Sequence, residues 1–352
     1  MVPLRVGYSR IKLDFPLGIE MAGYAARKGK SIGWLDPLEG FSILLNDSVV
    51  IIVFDLLGIP EDFPSRISDL RVIPVATHTH SAPKPSKVLD ILIEASEVLI
   101  RDSWKNAQEV SELILREYSS EGICDLRNSD ESTTLRVAEM DFREFSLVVF
   151  PCHPTVLGPE NLLYSADLHG AIRRKLKEEW KKEVVMVNSC CGDVSTHRTR
   201  RERTPKELKR LSEEFVRGLR PTGEKRISLN ALKFLERSLR LEVVEKEIRE
   251  EELDERSKDA VPLVMRRKKD KRNLRMCALK LGDLNVMFFP FELFYGTCET
   301  LPYEVVCYSC GYGSYLVPEG TTGYEWLASP YGYDALDEVL KVADEMIREL
   351  RG

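Results

Sequence analysis

The chain of 352 residues has only five histidines, and all lie between positions 78 and 197: His78, His80, His153, His169 and His197. Imidazole can ligate a metal or move a proton near neutral pH, so such clustering points to a site. Four short motifs carry residues of this kind. Ala76-Thr77-His78-Thr79-His80-Ser81 follows the run RVIPV, and Cys152-His153-Pro154-Thr155 follows FSLVVF. Gly192-Asp193-Val194-Ser195 follows EVVMVN, and Pro290-Phe291-Glu292 follows LNVMFF. Each motif stands just past an apolar β-type run, and in open α/β sheets ligands bind beyond the carboxyl ends of strands. The four segments are therefore expected to converge.

His78 and His80 stand two residues apart in a segment that reads as extended, so both are expected to project from one side. With His153 and the carboxylate of Glu292 they form a set that suits zinc, which takes imidazole nitrogen and carboxylate oxygen in tetrahedral geometry. The spacing matches no compact metal motif. On residue chemistry alone a second reading stays open, in which the HTH segment is a hydrogen-bonded strand end and His153 a turn cap. Gly192-Asp193-Val194-Ser195 reads as a strand-to-helix turn. Its backbone N–H groups could hold an oxyanion, with Ser195 as nucleophile or donor. The alternative is an ordinary helix N-cap, for which Asp and Ser are common.

The elements that must position these residues follow from periodicity. Residues 48–56, 70–77, 183–188, 284–289 and 304–308 read as buried strands, and 135–140 with 145–150 as a strand pair. Helical periodicity runs over 86–118, 168–181, 202–220 and 335–350. Residues 239–255 are acidic and mostly polar. Residues 265–275 (MRRKKDKRNLR) are strongly basic and read as a solvated loop or hairpin tip, with contact to anionic lipid heads as the functional alternative. Strands alternating with helices predict an α/β fold, a mixed central β-sheet core flanked by helices. One domain spanning 1–352 is expected, with a charged helical or hairpin insertion around 200–275.

Composition narrows the function. Hydrophobic residues make up 43%, enough for a full core. The net charge of −6 offers no basic field for general nucleic-acid binding, so no nucleic-acid partner is expected. No apolar run reaches the ~18 residues of a membrane span. The opening MVPLRVGYSRIKLDFP has no apolar stretch of leader type, which makes a cytoplasmic location the expectation. In that compartment the eight cysteines should be thiols. Cys307 and Cys310 then read as buried small hydrophobes, and Cys190-Cys191 as packing residues before a tight turn.

Taken together, the motifs resemble the neutral/alkaline ceramidase family. The stretch GYSRIKLDFPLGIEMAGYAARKGKSIGWLDPLEGFSILL is similar to the family opening, and ATHTHSAP resembles its HTHSGPG box. FPCHPTVLGPENLLYSADLHG resembles the second His box, and SCCGDVSTHRTR the NGAAGDVSP-type box. FFPFELF stands where the family has its Glu box, and GYGSYLVPEGTTGYE resembles the terminal Tyr box. These boxes occur in family order over nearly the whole chain. The resemblance implies zinc held by His78, His153, Glu292 and Tyr315, with Ser195, His80 and Tyr324 at the reaction centre and Arg127 near the substrate. For Tyr315 and Tyr324 the alternative is aromatic packing on a strand edge.

There are departures from the family pattern. Pro154-Thr155 follows the second-box His, Phe291 replaces a Gly, and Cys190, Cys191 and Thr196 alter the Ser box. No C-terminal immunoglobulin-like domain is expected. The implied activity is zinc-dependent hydrolysis of an N-acyl amide, ceramide-like or another N-acyl amine, within sphingolipid or other lipid metabolism. Membrane contact would be peripheral at most, and the oligomeric state is left open. The alternatives are a zinc-dependent esterase or deacetylase on a smaller polar substrate, and a non-catalytic metal-binding protein.

Overall fold

The computed structural model describes residues 3–248, 253–265, 267 and 271–352. Strand Val49–Phe54 shows how the sequence makes the architecture. Side chains alternate across a strand, so Val49, Ile51 and Val53 enter one core while Val50, Ile52 and Phe54 enter another. Burial on both faces requires the unbroken apolar run seen in the sequence.

Three larger sheets share this design. The six-stranded sheet runs in the order Arg66–Ile67, Leu70–Ala76, Val49–Phe54, Glu39–Leu45, Leu4–Lys12, Gln108–Val110. A five-stranded sheet runs Glu183–Val187, Phe145–Val149, Leu135–Asp141, Glu112–Ser120, Arg220–Ser228. A four-stranded sheet runs Leu232–Glu242, Lys271–Leu281, Leu284–Phe288, Glu304–Val306. One face of each sheet meets the others in a core built from strand and loop residues, including Ile51, Val75, Met140, Val187, Leu279 and Phe288. The opposite faces carry the helices Leu89–Lys105, Asp167–Trp180, Pro205–Gly218 and Asp334–Arg351. The fold is α/β with mixed sheets, as the alternation of patterns predicts. Among the described residues no helix is long and apolar enough to cross a membrane.

Each larger sheet contains one parallel pair: Val49–Phe54 with Leu70–Ala76, Phe145–Val149 with Glu183–Val187, and Leu284–Phe288 with Glu304–Val306. Hydrogen bonds stitch their carboxyl ends together across the sheets. Ala76 N donates to Tyr308 O at 2.9 Å, Cys310 N to Pro74 O at 2.7 Å, and Cys307 N to Asn188 O at 2.9 Å. The segments just past these ends are therefore forced into one region.

Four sequence expectations need correction. The helical pattern over 86–118 is a helix only to Lys105; Gln108–Val110 and Glu112–Ser120 are strands. In the second of these, Leu113 and Leu115 point into the sheet core, and pairing to Leu135–Asp141 on one side and Arg220–Ser228 on the other overrides the helical spacing. Gly192-Asp193-Val194-Ser195 is no helix start. Val194 N closes a turn onto Cys191 O at 3.0 Å, and Val194–Ser195 pairs with Asp125–Leu126. The next helix begins at Pro205 and is capped by Thr204. Four of the eight cysteines are not thiols: Cys124 is bonded to Cys152 and Cys190 to Cys298, with Cα–Cα separations of 6.1 and 6.0 Å. Finally, the basic run 265–275 is not a free tip where it is described. Arg267 donates to Leu327 O and Ala328 O, and Lys271 opens a long strand; residues 266 and 268–270 lie outside the described residues. Residues 249–252 of the acidic stretch lie outside them too.

Candidate metal centre

His78 follows strand Leu70–Ala76 in the left-handed backbone region, with φ of 65°. The simple alternation expected for His78 and His80 therefore fails, yet the rings still meet, with centroids 4.9 Å apart. His153 follows Phe145–Val149 and forms a parallel bridge with Ser195. Glu292 lies in Phe291–Leu293, which pairs in parallel with Ser314–Leu316. Among the described residues, ligand atoms of His78, His80 and His153 all lie within 4.8 Å of one another.

The hydrogen bonds fix which ring nitrogens are bare. A backbone carbonyl only accepts, so a ring nitrogen bonded to one must carry the proton. His78 Nδ1 donates to Leu57 O at 2.7 Å. His153 Nδ1 donates to Cys191 O at 2.5 Å, with Val194 O at 3.2 Å. Both Nε2 atoms therefore present lone pairs. They face the same oxygen: Glu292 Oε2 is 2.9 Å from His153 Nε2 and 3.7 Å from His78 Nε2. Burial pushes the His78 imidazole down to about 3, a shift that Glu292 opposes and His153 reinforces. Burial also holds His153 and His80 well below the ordinary imidazole range. Neutral imidazole is the form that ligates a cation.

The Nε2 atoms of two imidazoles and a carboxylate oxygen thus meet in one buried site. Electron-rich atoms that close repel unless a positive charge joins them. The carbonyls behind each ring are the outer partners that ordinarily orient metal-binding histidines. The donor set therefore fits a cation, and its nitrogen–carboxylate chemistry fits zinc.

His80 places Nε2 3.3 Å from His78 Nε2, while its Nδ1 is buried without a partner. Its ring is held by the loop that carries Gly23, Tyr24 and Arg27. Tyr24 packs on it at 4.9 Å, and Arg27 donates to its carbonyl at 2.7 Å. Gly23 has φ of +103°, and a Cβ there would fall 2.5 Å from the His80 ring. Glycine is required on both counts.

The other sequence candidates surround this centre. Tyr315 stacks against His153 with centroids 6.4 Å apart and stands opposite Glu292 in the parallel strand pair. Tyr324 meets Tyr315 edge-on at 6.1 Å and lies under the Arg256 guanidinium. Arg127 is half-buried; it donates to Gly192 O at 2.9 Å and pairs with Glu325 at 3.2 Å. Ser195 is buried beside the His153 backbone, and its Oγ accepts from His197 N at 3.3 Å. A cleft of about 1510 Å³ opens on the centre and is lined by His78, His80, Glu292, Tyr312, Tyr315 and Tyr324, among others. His153, Ser195 and Arg127 do not line it.

Two residues escaped sequence reasoning. The phenol that donates to Glu292 Oε1 is that of Tyr312, three residues before Tyr315. Tyr308 stacks on His78 at 3.9 Å, while its hydroxyl meets Cys191 Sγ at 3.1 Å. The cluster of tyrosines and glycines over 308–315 is a signal that could have marked the segment, though it does not say which phenol faces inward. His169 is buried in helix Asp167–Trp180, packs on Phe150 and stays outside the ligand group.

No sequence-family model matches this chain, and no curated protein matches it. Solved structures do. The neutral ceramidase from Pseudomonas aeruginosa superposes with a TM-score of 0.67 at 14% identity, over 95% of this chain and 72% of that one. A ceramidase complexed with C2 superposes with a TM-score of 0.68, also at 14% identity, over 95% and 73%. The three-sheet architecture that gathers the histidines is thus the fold of neutral ceramidases.

Proposed function

We propose that this chain is a zinc-dependent hydrolase of an N-acyl amide, ceramide-like or another N-acyl amine. The observation that carries the reading is the meeting of bare Nε2 atoms of His78 and His153 on the Glu292 carboxylate in a buried site. The motif order and the fold shared with two ceramidases support the amide as the bond attacked.

Zinc bound there would polarise the amide carbonyl and lower the pKa of a water molecule from ~15.7 to about 7. The chain supplies the rest. His78 and His153 are locked by backbone carbonyls, so their nitrogens need not reorganise when the site is loaded. The unpartnered Nδ1 of His80 is the atom suited to carry a proton toward the departing amine. Tyr324, on the cleft wall, would donate to the tetrahedral oxyanion. Tyr315, opposite Glu292, would complete the zinc set with His78, His153 and Glu292; Arg127 braces the Gly192 turn, and Ser195 acts from that turn as nucleophile or as positioner of substrate.

The test is metal analysis of protein purified without added metal, paired with a panel of N-acyl amines and acyl esters assayed with and without chelator. About one zinc per chain is expected, with amide turnover that chelator abolishes. His78→Ala and His153→Ala should lose the metal, while His169→Ala should keep it. A folded, metal-free and fully active protein would end the proposal.

A further inference from the structure

Asn188 ends the run Glu183–Val187 and is fully buried. Its side chain joins two of the segments that carry imidazole ligands. Nδ2 donates to Thr77 O at 3.0 Å, one residue before His78. Oδ1 accepts from Cys152 N at 3.4 Å, one residue before His153. Its backbone carbonyl accepts from Cys307 N at 2.9 Å, one residue before the Tyr308 ring that stacks on His78. The three contacts reach all three larger sheets at the carboxyl ends of their parallel pairs.

An amide is required for this work. It offers a donor and an acceptor at once without charge, and at a fully buried position both must be satisfied. A carboxylate there would lose the donor to Thr77 O and place a charge in the core.

We infer that Asn188 is a positioning residue for the metal centre: its amide sets the separation of His78 and His153, and hence the fit of the ligand set to zinc. This rests on the metal reading above. Outer partners that orient ligands typically change metal affinity by about 10- to 100-fold when lost.

The experiment measures zinc affinity by competition with a chromophoric chelator, and the melting temperature of the chelator-treated protein. The chains compared are wild type, Asn188→Asp, Asn188→Ala and Val286→Ala. Val286 is buried in the core between the sheets, which includes none of the ligands, and reports what a simple loss of packing does. Wild type should bind one zinc. Both Asn188 variants should bind it about 10- to 100-fold more weakly, whereas Val286→Ala should melt earlier with affinity within about twofold of wild type. If the buried charge of Asn188→Asp prevents folding, Asn188→Ala decides by the same criterion. Asn188 variants that melt earlier yet bind zinc like wild type overturn the inference and leave the metal reading standing. A wild-type chain that binds no zinc overturns the metal reading itself.

Discussion

Tyr312 donates its phenol to Oε1 of Glu292, the carboxylate whose Oε2 faces His153 and His78. Tyr315, the phenol singled out by resemblance, stands opposite Glu292 in the parallel strand pair and stacks on His153. The two tyrosines therefore separate under substitution. Tyr312→Phe should weaken zinc binding by about tenfold by freeing Glu292 Oε1, while Tyr315→Phe, which removes the proposed fourth ligand, should release the metal outright. Zinc content after dialysis against a weak chelator checks this. Zinc kept by Tyr315→Phe and lost by Tyr312→Phe would make Tyr312 the ligand.

Ser195 cannot be a helix cap, because it sits in a two-residue strand and the following helix is capped by Thr204. Ser195→Ala should therefore leave the zinc in place and cut amide turnover by about 10²-fold or more, the usual effect of losing a catalytic group or oxyanion donor. Turnover would be measured alongside zinc content and melting temperature. Wild-type turnover in the variant would mean that Ser195 only holds the strand beside His153.

His169 predicts a pH dependence that the metal centre does not dictate. Burial pushes this imidazole from 6.5 down to about 4, with Arg173 reinforcing the shift. The folded state thus binds fewer protons than the unfolded chain between those values. Its contribution is complete above pH 6.5 and declines as pH falls to about 4, by roughly 3 kcal/mol in all. Denaturant melts at pH 7, 5.5 and 4.5 should show His169→Gln losing less stability on acidification than wild type. Parallel curves for the two proteins would refute the assignment.

Much of the frame was legible because physics repeats it along the chain. Strands such as Val49–Phe54 are buried by the other sheets on one face and by helices on the other, so their composition alone announces them. The motifs were visible as polar residues stranded at the ends of those runs. Glu112–Ser120 was not, because the spacing of Val110, Leu113 and Ile114 satisfies a helix as well as a strand, and only pairing decides. Tyr312 and Tyr315 are equivalent in a Y-x-x-Y pattern until the backbone orients them. Asn188 gave no signal, since an amide at a strand end looks like any turn residue. The disulfides were hidden for the same reason, joining cysteines 28 and 108 residues apart with no regular spacing.

His153 and Glu292 are 139 residues apart in sequence, and their approach depends on three sheets being docked at one set of strand ends. Loops of that length cost entropy before any contact rewards their closure, and folds with such non-local pairing fold slowly. We expect the ligand set to be completed after the rate-limiting step, which refolding and unfolding rates measured with and without zinc would check. A cation that binds it slows unfolding and leaves the refolding rate nearly unchanged. In kinetic terms such a centre would be a latch that closes last, protecting the native chain by lengthening its lifetime rather than by guiding it home.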